Sequence, residues 1–119
     1  MPINKSTEFG TIQISLDAIA ALAGGTITES YGIVGMASQK TFKDGLAELL
    51  KRENYAKGVI VRQNDGGLIL DLYIIAMQGI MLGEVIHEAQ QRVKYVLEKT
   101  LEVKVQEVNV WVQGVRVSR

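Results

Sequence analysis

The chain has 119 residues, 47% of them hydrophobic, with thirteen basic and thirteen acidic side chains and no cysteine. That length suits one domain with a single core, and the missing cysteine excludes disulfides and thiolate metal sites, as suits a reducing compartment. A formal net charge of zero lacks the broad positive field of a protein held mainly by phosphates, which disfavours nucleic acid as the main partner.

The start, Met1-Pro2-Ile3-Asn4-Lys5, has no apolar run behind its lysine. No secretory signal is therefore expected, and residues 1–8 read as a flexible N-terminus of a single domain spanning 1–119. Residues 9–14 alternate as a first strand with Ile12 and Ile14 inward. Ser15 then stops the strand and caps a helix that begins at Leu16, with Asp17 placed where the helix dipole favours negative charge. Leu16, Ile19, Ala20, Ala23 and Ile27 form its buried stripe. The pair Gly24-Gly25 weakens this helix, and either ends it early or permits close packing.

Residues 31–38 read as a second strand containing Gly32 and Gly35. Residues 39–54 follow as a short amphipathic helix, with Leu46, Leu49 and Leu50 on one side and Lys43, Asp44, Glu48, Lys51, Arg52 and Glu53 on the others. Residues 57–63 form a third strand, joined through Asn64-Asp65-Gly66 as a hairpin to the run 67–76. This run is apolar at nearly every position, so it reads as the central strand of the sheet. Its two-residue period puts Leu68, Leu70, Leu72, Ile74 and Ala76 on a fully apolar face, and Ile69, Asp71, Tyr73 and Ile75 on a mixed one.

Residues 82–101 carry Leu82, Val85, Ile86, Ala89, Val93, Val96, Leu97 and Thr100 at three-and-four spacing, a long amphipathic helix. Residues 102–117 then close the chain as one long strand or two. Valine changes phase twice there, through Val103 and Val105, then Val108, Val110 and Val112, then Val115 and Val117. Each change predicts a bulge, near Gln106-Glu107 and at Gln113-Gly114, because an extra residue is needed to keep valine on one face. The resulting fold class is α+β, a two-layer sandwich. Two main helices pack on one face of a mixed sheet of about five strands, a short amphipathic helix is added, and the closing strand lies parallel to the central one or next to it.

The residues also carry a resemblance. Thr28-Glu29-Ser30-Tyr31-Gly32-Ile33-Val34-Gly35-Met36, Leu46-Ala47-Glu48-Leu49-Leu50 leading into Gly58-Val59-Ile60-Val61, Asp71-Leu72-Tyr73-Ile74, and Val105-Gln106-Glu107-Val108-Asn109-Val110 with Val112-Gln113-Gly114-Val115 together resemble the alkaline shock protein family. Its members are also called envelope stress response proteins and are found mainly in Gram-positive bacteria. The resemblance covers residues 8–117. It implies a small cytoplasmic non-enzyme, in some members associated with the inner membrane face through a membrane-anchored partner. It brings no catalytic motif and no defined ligand.

The residues themselves offer little chemistry. His87 is the only histidine. Glu84-Val85-Ile86-His87 has the Glu-x-x-His spacing of carboxylate di-iron bundles, which need a second copy and further glutamates, so His87 reads as a surface or boundary residue. The zinc-protease pattern fails at its second histidine. Asp71 interrupts an apolar run, and a cross-strand arginine such as Arg62 gives it a structural partner. Gly32-Ile33-Val34-Gly35 has the Gly-x-x-Gly form of the loop with which KH domains clamp nucleic acid, but in a strand-like context without basic flanks. Lys43, Lys51 and Arg52 give the 39–54 segment a basic face, blunted by interleaved acids.

The mixed sheet face is the stronger lead. Trp111, between Val110 and Val112, joins Tyr73, Ile69 and Ile75 there as a candidate interaction surface, unless the 39–54 segment folds over them. The expectation is a non-catalytic protein of the bacterial cytoplasm, serving envelope stress or envelope homeostasis through protein–protein contacts. It needs no cofactor and no metal. Its expected partner is a protein, with a membrane-anchored one among the candidates, or a further copy of itself. A small KH-like RNA-binding module is the alternative from another class, and a ligand-binding regulatory subunit of an enzyme a third.

Overall fold

The computed structural model describes residues 3–41 and 47–117. The chain opens with a hairpin, β1 (Ile3–Thr7) and β2 (Gly10–Ile14), which forms a two-stranded sheet of its own. Helix α1 (Leu16–Thr28) starts where Ser15 Oγ accepts a 3.0 Å hydrogen bond from the Ala18 N–H, filling one of the donors that a helix N-terminus leaves open. The helix runs through Gly24-Gly25 without a break. A methyl group at Gly24 would lie 3.1 Å from Tyr55 Cβ, so this glycine serves close packing against the segment that follows β3.

Strand β3 (Ile33–Thr41) leads to the short β4 (Ala47–Leu49), then to a 3-10 helix (Arg52–Gly58). Strands β5 (Val59–Asn64) and β6 (Gly67–Met77) form the expected hairpin, in which Asn64 Oδ1 accepts from the Gly66 N–H at 2.8 Å. Helix α2 (Leu82–Leu101) carries the chain to β7 (Val105–Arg116). Its bounds are those the apolar spacing predicts.

The α+β class is as expected, and among the described residues five strands make the main sheet, with β6 at its centre. Strand β7 runs parallel along one edge of β6, while β5 and the first part of β3 pair antiparallel with the other edge, one after the other. The register slips on β7 at Gln106 and at Gln113, between the pairs Leu68↔Val105 and Ile69↔Glu107 and between Ile74↔Val112 and Ile75↔Gly114. These are the two bulges the valine phase requires. Because paired residues share a face, Val105, Val108, Val110, Val112 and Val115 all stand beside the apolar residues of β6. Helices α1 and α2 cover that side. Ile19, Ala23 and Ile27 of α1, Val93 and Leu97 of α2, and Leu70, Leu72 and Ile74 of β6 are all at 0% exposure in one core. Val110 packs against this core and Val96 is partly buried.

Two readings change. The amphipathic helix over 39–54 is replaced by the end of β3, by β4 and by the 3-10 helix, while Lys43, Asp44 and Leu46 lie outside the described residues. Leu50 is buried while Leu49 is 38% exposed, so the two leucines turn to different environments, as an extended chain permits and one helix stripe does not. The second change is at the N-terminus. The chain is already paired at Ile3, opposite Ile14, and Ile12 is 51% exposed rather than inward.

Candidate functional site

Among the described residues, no helix packs on the second face of β6. The period of the strand brings Ile69, Asp71, Tyr73, Ile75 and Met77 there, and the pairing with β7 adds Glu107, Asn109, Trp111 and Arg116. β5 contributes Ile60 opposite Asp71 and Arg62 opposite Ile69. A single face thus gathers an ionic cluster and an aromatic pair.

The ionic cluster centres on Asp71, which is 8% exposed. Arg62 Nη2 donates to its Oδ2 at 2.8 Å and Asn109 Nδ2 to its Oδ1 at 3.0 Å. Both carboxylate oxygens are therefore satisfied, as burial of a charge requires. The cross-strand arginine partner expected for Asp71 is found, and Asn109, which the sequence reading did not place, is the second. Its signal was the phase of β7: a bulge at Gln106 sets Asn109 directly opposite Asp71. Asn109 Nδ2 also lies 3.3 Å from Glu107 Oε1. The cluster ties β5, β6 and β7 together, with each Asp71 oxygen accepting one hydrogen bond.

The aromatic pair lies beside it. Tyr73 and Trp111 face each other across the β6–β7 ladder with centroids 6.2 Å apart and planes 15° apart. Trp111 remains 51% exposed and Tyr73 partly so. Offset stacking of this kind fixes two large rings without hiding them. Ile69 is partly buried at the β5 side. Ile75 is different, at 1% exposure. Its β3 partner is Gly35, and a methyl group there would lie 2.8 Å from Leu49 Cδ1. Leu49 therefore occupies the side on which Ile75 stands, and Ile75 is covered there instead of forming part of the open surface. The side-chain amide of Gln113, at the second bulge, also reaches across to the Gln39 carbonyl at 3.4 Å. The face is thus open around Trp111 and closed at the Ile75 end.

Other candidates are not brought together. Lys51 and Arg52 are exposed at the start of the 3-10 helix, and Arg52 shares a surface cavity with Glu29 and Tyr55. That acidic neighbour limits any positive field, and Lys43 lies outside the described residues. His87 is exposed on α2, and among the described residues no group of three or more His, Asp or Glu side chains is placed to hold a metal. Gly32 and Gly35 are both buried. A methyl group at Gly32, where φ is 85°, would lie 2.7 Å from Ile80 Cδ1 and 2.8 Å from Val85 Cγ1. These glycines admit neighbouring side chains and do not form an exposed loop of the KH kind.

Across residues 4–117 the chain matches the profile of the alkaline shock protein family, described as having a cell envelope-related function. The chain belongs to that family. It is 47% identical over 118 residues to the uncharacterized protein YloU of Bacillus subtilis, covering 99% of this chain and 98% of that one. It is 43% identical over 117 residues to the uncharacterized protein Spy1614 of Streptococcus pyogenes, covering 98% and 97%. A second Bacillus subtilis protein, the uncharacterized YqhY, is 25% identical over 113 residues, covering 95% and 82%. No solved structure matches. The resemblance to the alkaline shock proteins, seen in four sequence segments, is thus a membership that extends over the β1–β2 hairpin, the main sheet and both helices. The description shared by this alkaline shock family is a role related to the envelope, and among the described residues of the chain no helix is long and apolar enough to cross a membrane.

Proposed function

We propose that this alkaline shock family member is a non-catalytic interaction protein that works in the cytoplasm on behalf of the envelope, with the open face around Trp111 as its contact surface. The observation that carries this reading is the half-exposed Trp111 ring stacked on Tyr73. A large aromatic group held rigid on a flat sheet contributes strongly to an interface and little to its own fold, since little rotamer freedom is lost on binding. Asp71 on the same face is buried and accepts hydrogen bonds from Arg62 and Asn109, which favours a structural role for it. Membrane proximity then comes from a protein partner, because the chain has balanced charge and no apolar spanning helix among its described residues,.

The test is a site-specific photo-crosslinker at position 111 in cells, with position 94 on the exposed side of α2 as control. Adducts from 111 and none from 94 are expected. Equal labelling at the two positions, or none at either, overturns the assignment of the face. Flotation of the purified protein with anionic vesicles at physiological salt checks the membrane part. The protein is expected to stay at the bottom of the gradient, and flotation in the absence of other proteins counts against recruitment by a partner.

A further inference from the structure

Strand β7 is the outer strand on its side of β6, and among the described residues it pairs with β6 alone. Leu68 N–H donates to the Lys104 carbonyl at 2.9 Å and Gln78 N–H to the Arg116 carbonyl at 2.6 Å, which fixes the β7 groups that face β6. Backbone groups alternate in direction along a strand, so across the two bulges the N–H and C=O of Val105, Val108, Val110, Val112 and Val115 point to the free edge. Side chains of α2 fill part of this row: Glu98 Oε2 accepts from the Val105 N–H at 3.0 Å, and Gln90 Nε2 donates to the Val108 carbonyl at 2.8 Å. Among the described residues no hydrogen bond reaches the outward groups of Val110, Val112 and Val115. A row of open backbone groups is a template for one more strand, and the side chains of β7 select which strand fits.

We propose that two copies join antiparallel along β7, with Trp111 on the two-fold axis. Glu107 stands four pairing positions before Trp111, past Val110, Asn109 and Val108, and Arg116 stands four after it, past Val112, Gly114 and Val115, once the bulged Gln113 is passed over. Antiparallel pairing about Trp111 therefore sets each exposed Glu107 opposite the exposed Arg116 of the other copy, and opposite charges across a ladder attract,. An acid and a base at equal distances from the centre are what a strand needs to pair with itself. A parallel alignment would instead set Glu107 against Glu107 and Arg116 against Arg116.

The same register matches the backbone. Val108 meets Val115 of the second copy and Val110 meets Val112, outward groups against outward groups, so each pair can exchange both of its hydrogen bonds. The Val108 carbonyl has a second lone pair for this beside the one that Gln90 uses,. Val115, 54% exposed, gains an apolar neighbour. The faces agree as well, because the paired valines stand on the helix-covered side in both copies and Trp111 meets Trp111 on the open one. If Gln113 took a pairing position of its own, the register that joins Glu107 to Arg116 would set Trp111 against Val112, and the faces would cross. The contact lies at the edge of the sheet, so it stands whether or not the open face takes another protein. A two-fold contact is satisfied within one pair, and assembly stops there.

Sedimentation equilibrium of the full chain tests this, with charge variants and single cysteines. The unsubstituted protein should approach twice the monomer mass as concentration rises and go no further. Glu107→Arg and Arg116→Glu each set like charges opposite at both ends of the ladder and should weaken the dimer by about tenfold. The double variant that carries both changes should regain the unsubstituted affinity. Because the chain has no cysteine, a single one can bridge only to another copy. Trp111→Cys should give disulfide-linked dimers under mild oxidation, whereas Glu107→Cys and Arg116→Cys should do so only when mixed. Both charged side chains are exposed, so their variants should keep the unsubstituted circular dichroism spectrum, and the mass of the unsubstituted protein decides the matter if one does not. A chain that stays monomeric overturns the proposal, as does a mass that climbs past a dimer. A dimer indifferent to charge reversal, a double variant that does not recover, or a cross-link from Glu107→Cys alone places the contact elsewhere and overturns the edge pairing.

Discussion

Strand β6 presents two faces built by alternate residues of one segment, and they are stabilised in opposite ways. On the helix side, Leu70, Leu72 and Ile74 are at 0% exposure, facing apolar residues of α1 and α2. On the other side, the buried Asp71 accepts from two hydrogen-bonding neighbours, and the large Trp111 side chain on the adjoining strand is half in water. This sheet thus draws its stability from one face and leaves the other to be shaped by polar bonds and partial burial. A surface of the second kind can change its contacts without unfolding the domain.

The helix-covered face is most vulnerable at Leu72. Leu72→Ala removes a fully buried side chain, and the rigid layers on both sides limit collapse of the cavity, so a loss of about 2–5 kcal/mol is expected. Chemical denaturation measures it. A loss below about 1 kcal/mol, the range of tolerated core swaps, would mean that the helix-covered face does not carry the fold.

Gly58 also lies against the helix-covered side. A methyl group there would lie 2.7 Å from the Ala37 carbonyl oxygen and 3.0 Å from Met36 Cε. Backbone cannot yield as a side chain does, so Gly58→Ala should cost about 1–3 kcal/mol by overpacking. A neutral substitution in the same denaturation assay would show that the 3-10 helix is not seated against β3.

This is also the segment that was hardest to read from sequence. The three-and-four spacing of Leu46, Leu49 and Leu50 resembles a helical stripe, yet a stripe of so few residues cannot distinguish a helix from an extended chain whose leucines turn in opposite directions. What decides between them is tertiary: Gly35 makes room for Leu49, and the 3-10 helix packs Tyr55 against Gly24. By contrast, β6, α2 and both β7 bulges were legible because each rests on many apolar positions in one phase. The Arg62–Asp71 pair was legible because an acid inside an apolar run demands a partner. Strand β1 was not, since Asn4, Lys5, Ser6 and Thr7 show no apolar alternation, and their strand state comes from pairing with β2. Of the candidate surface, Trp111, Tyr73 and Ile69 are accessible in whole or part. The burial of Ile75 depends on a chain segment far away in sequence, which periodicity does not reveal.

On the open face, Asp71→Ala should have a smaller effect than either core change. It removes a carboxylate bonded to Arg62 and Asn109, but the Arg62 side chain is already 55% exposed and can be hydrated when freed. Screening discounts the ionic part, so a loss of about 1–2 kcal/mol is expected, mainly from hydrogen bonds. Asp71→Asn, which keeps an acceptor for Asn109, should cost less than Asp71→Ala. A loss as large as that of Leu72→Ala in urea titration would place the cluster among the principal supports of the fold.

The smallest expected effect on stability is at Trp111. Half of the ring lies in solvent, so truncation leaves no enclosed cavity, and the chief loss is its stacking with Tyr73. Such pairs contribute about 0.5–1.5 kcal/mol beyond area burial. A double-mutant cycle with Trp111→Ala and Tyr73→Ala should return a coupling energy in that range, about 0.5–1.5 kcal/mol, because the rings stack with centroids 6.2 Å apart and share no third aromatic neighbour among the described residues,. Trp111→Phe, which retains a ring, should recover most of the stability. A cost for Trp111→Ala that reached the Leu72→Ala value would make the indole a core residue and erase the distinction between the faces. With the cost confined to the stacking range, a loss of binding or assembly in that variant reports on the surface itself, because the folded population hardly changes.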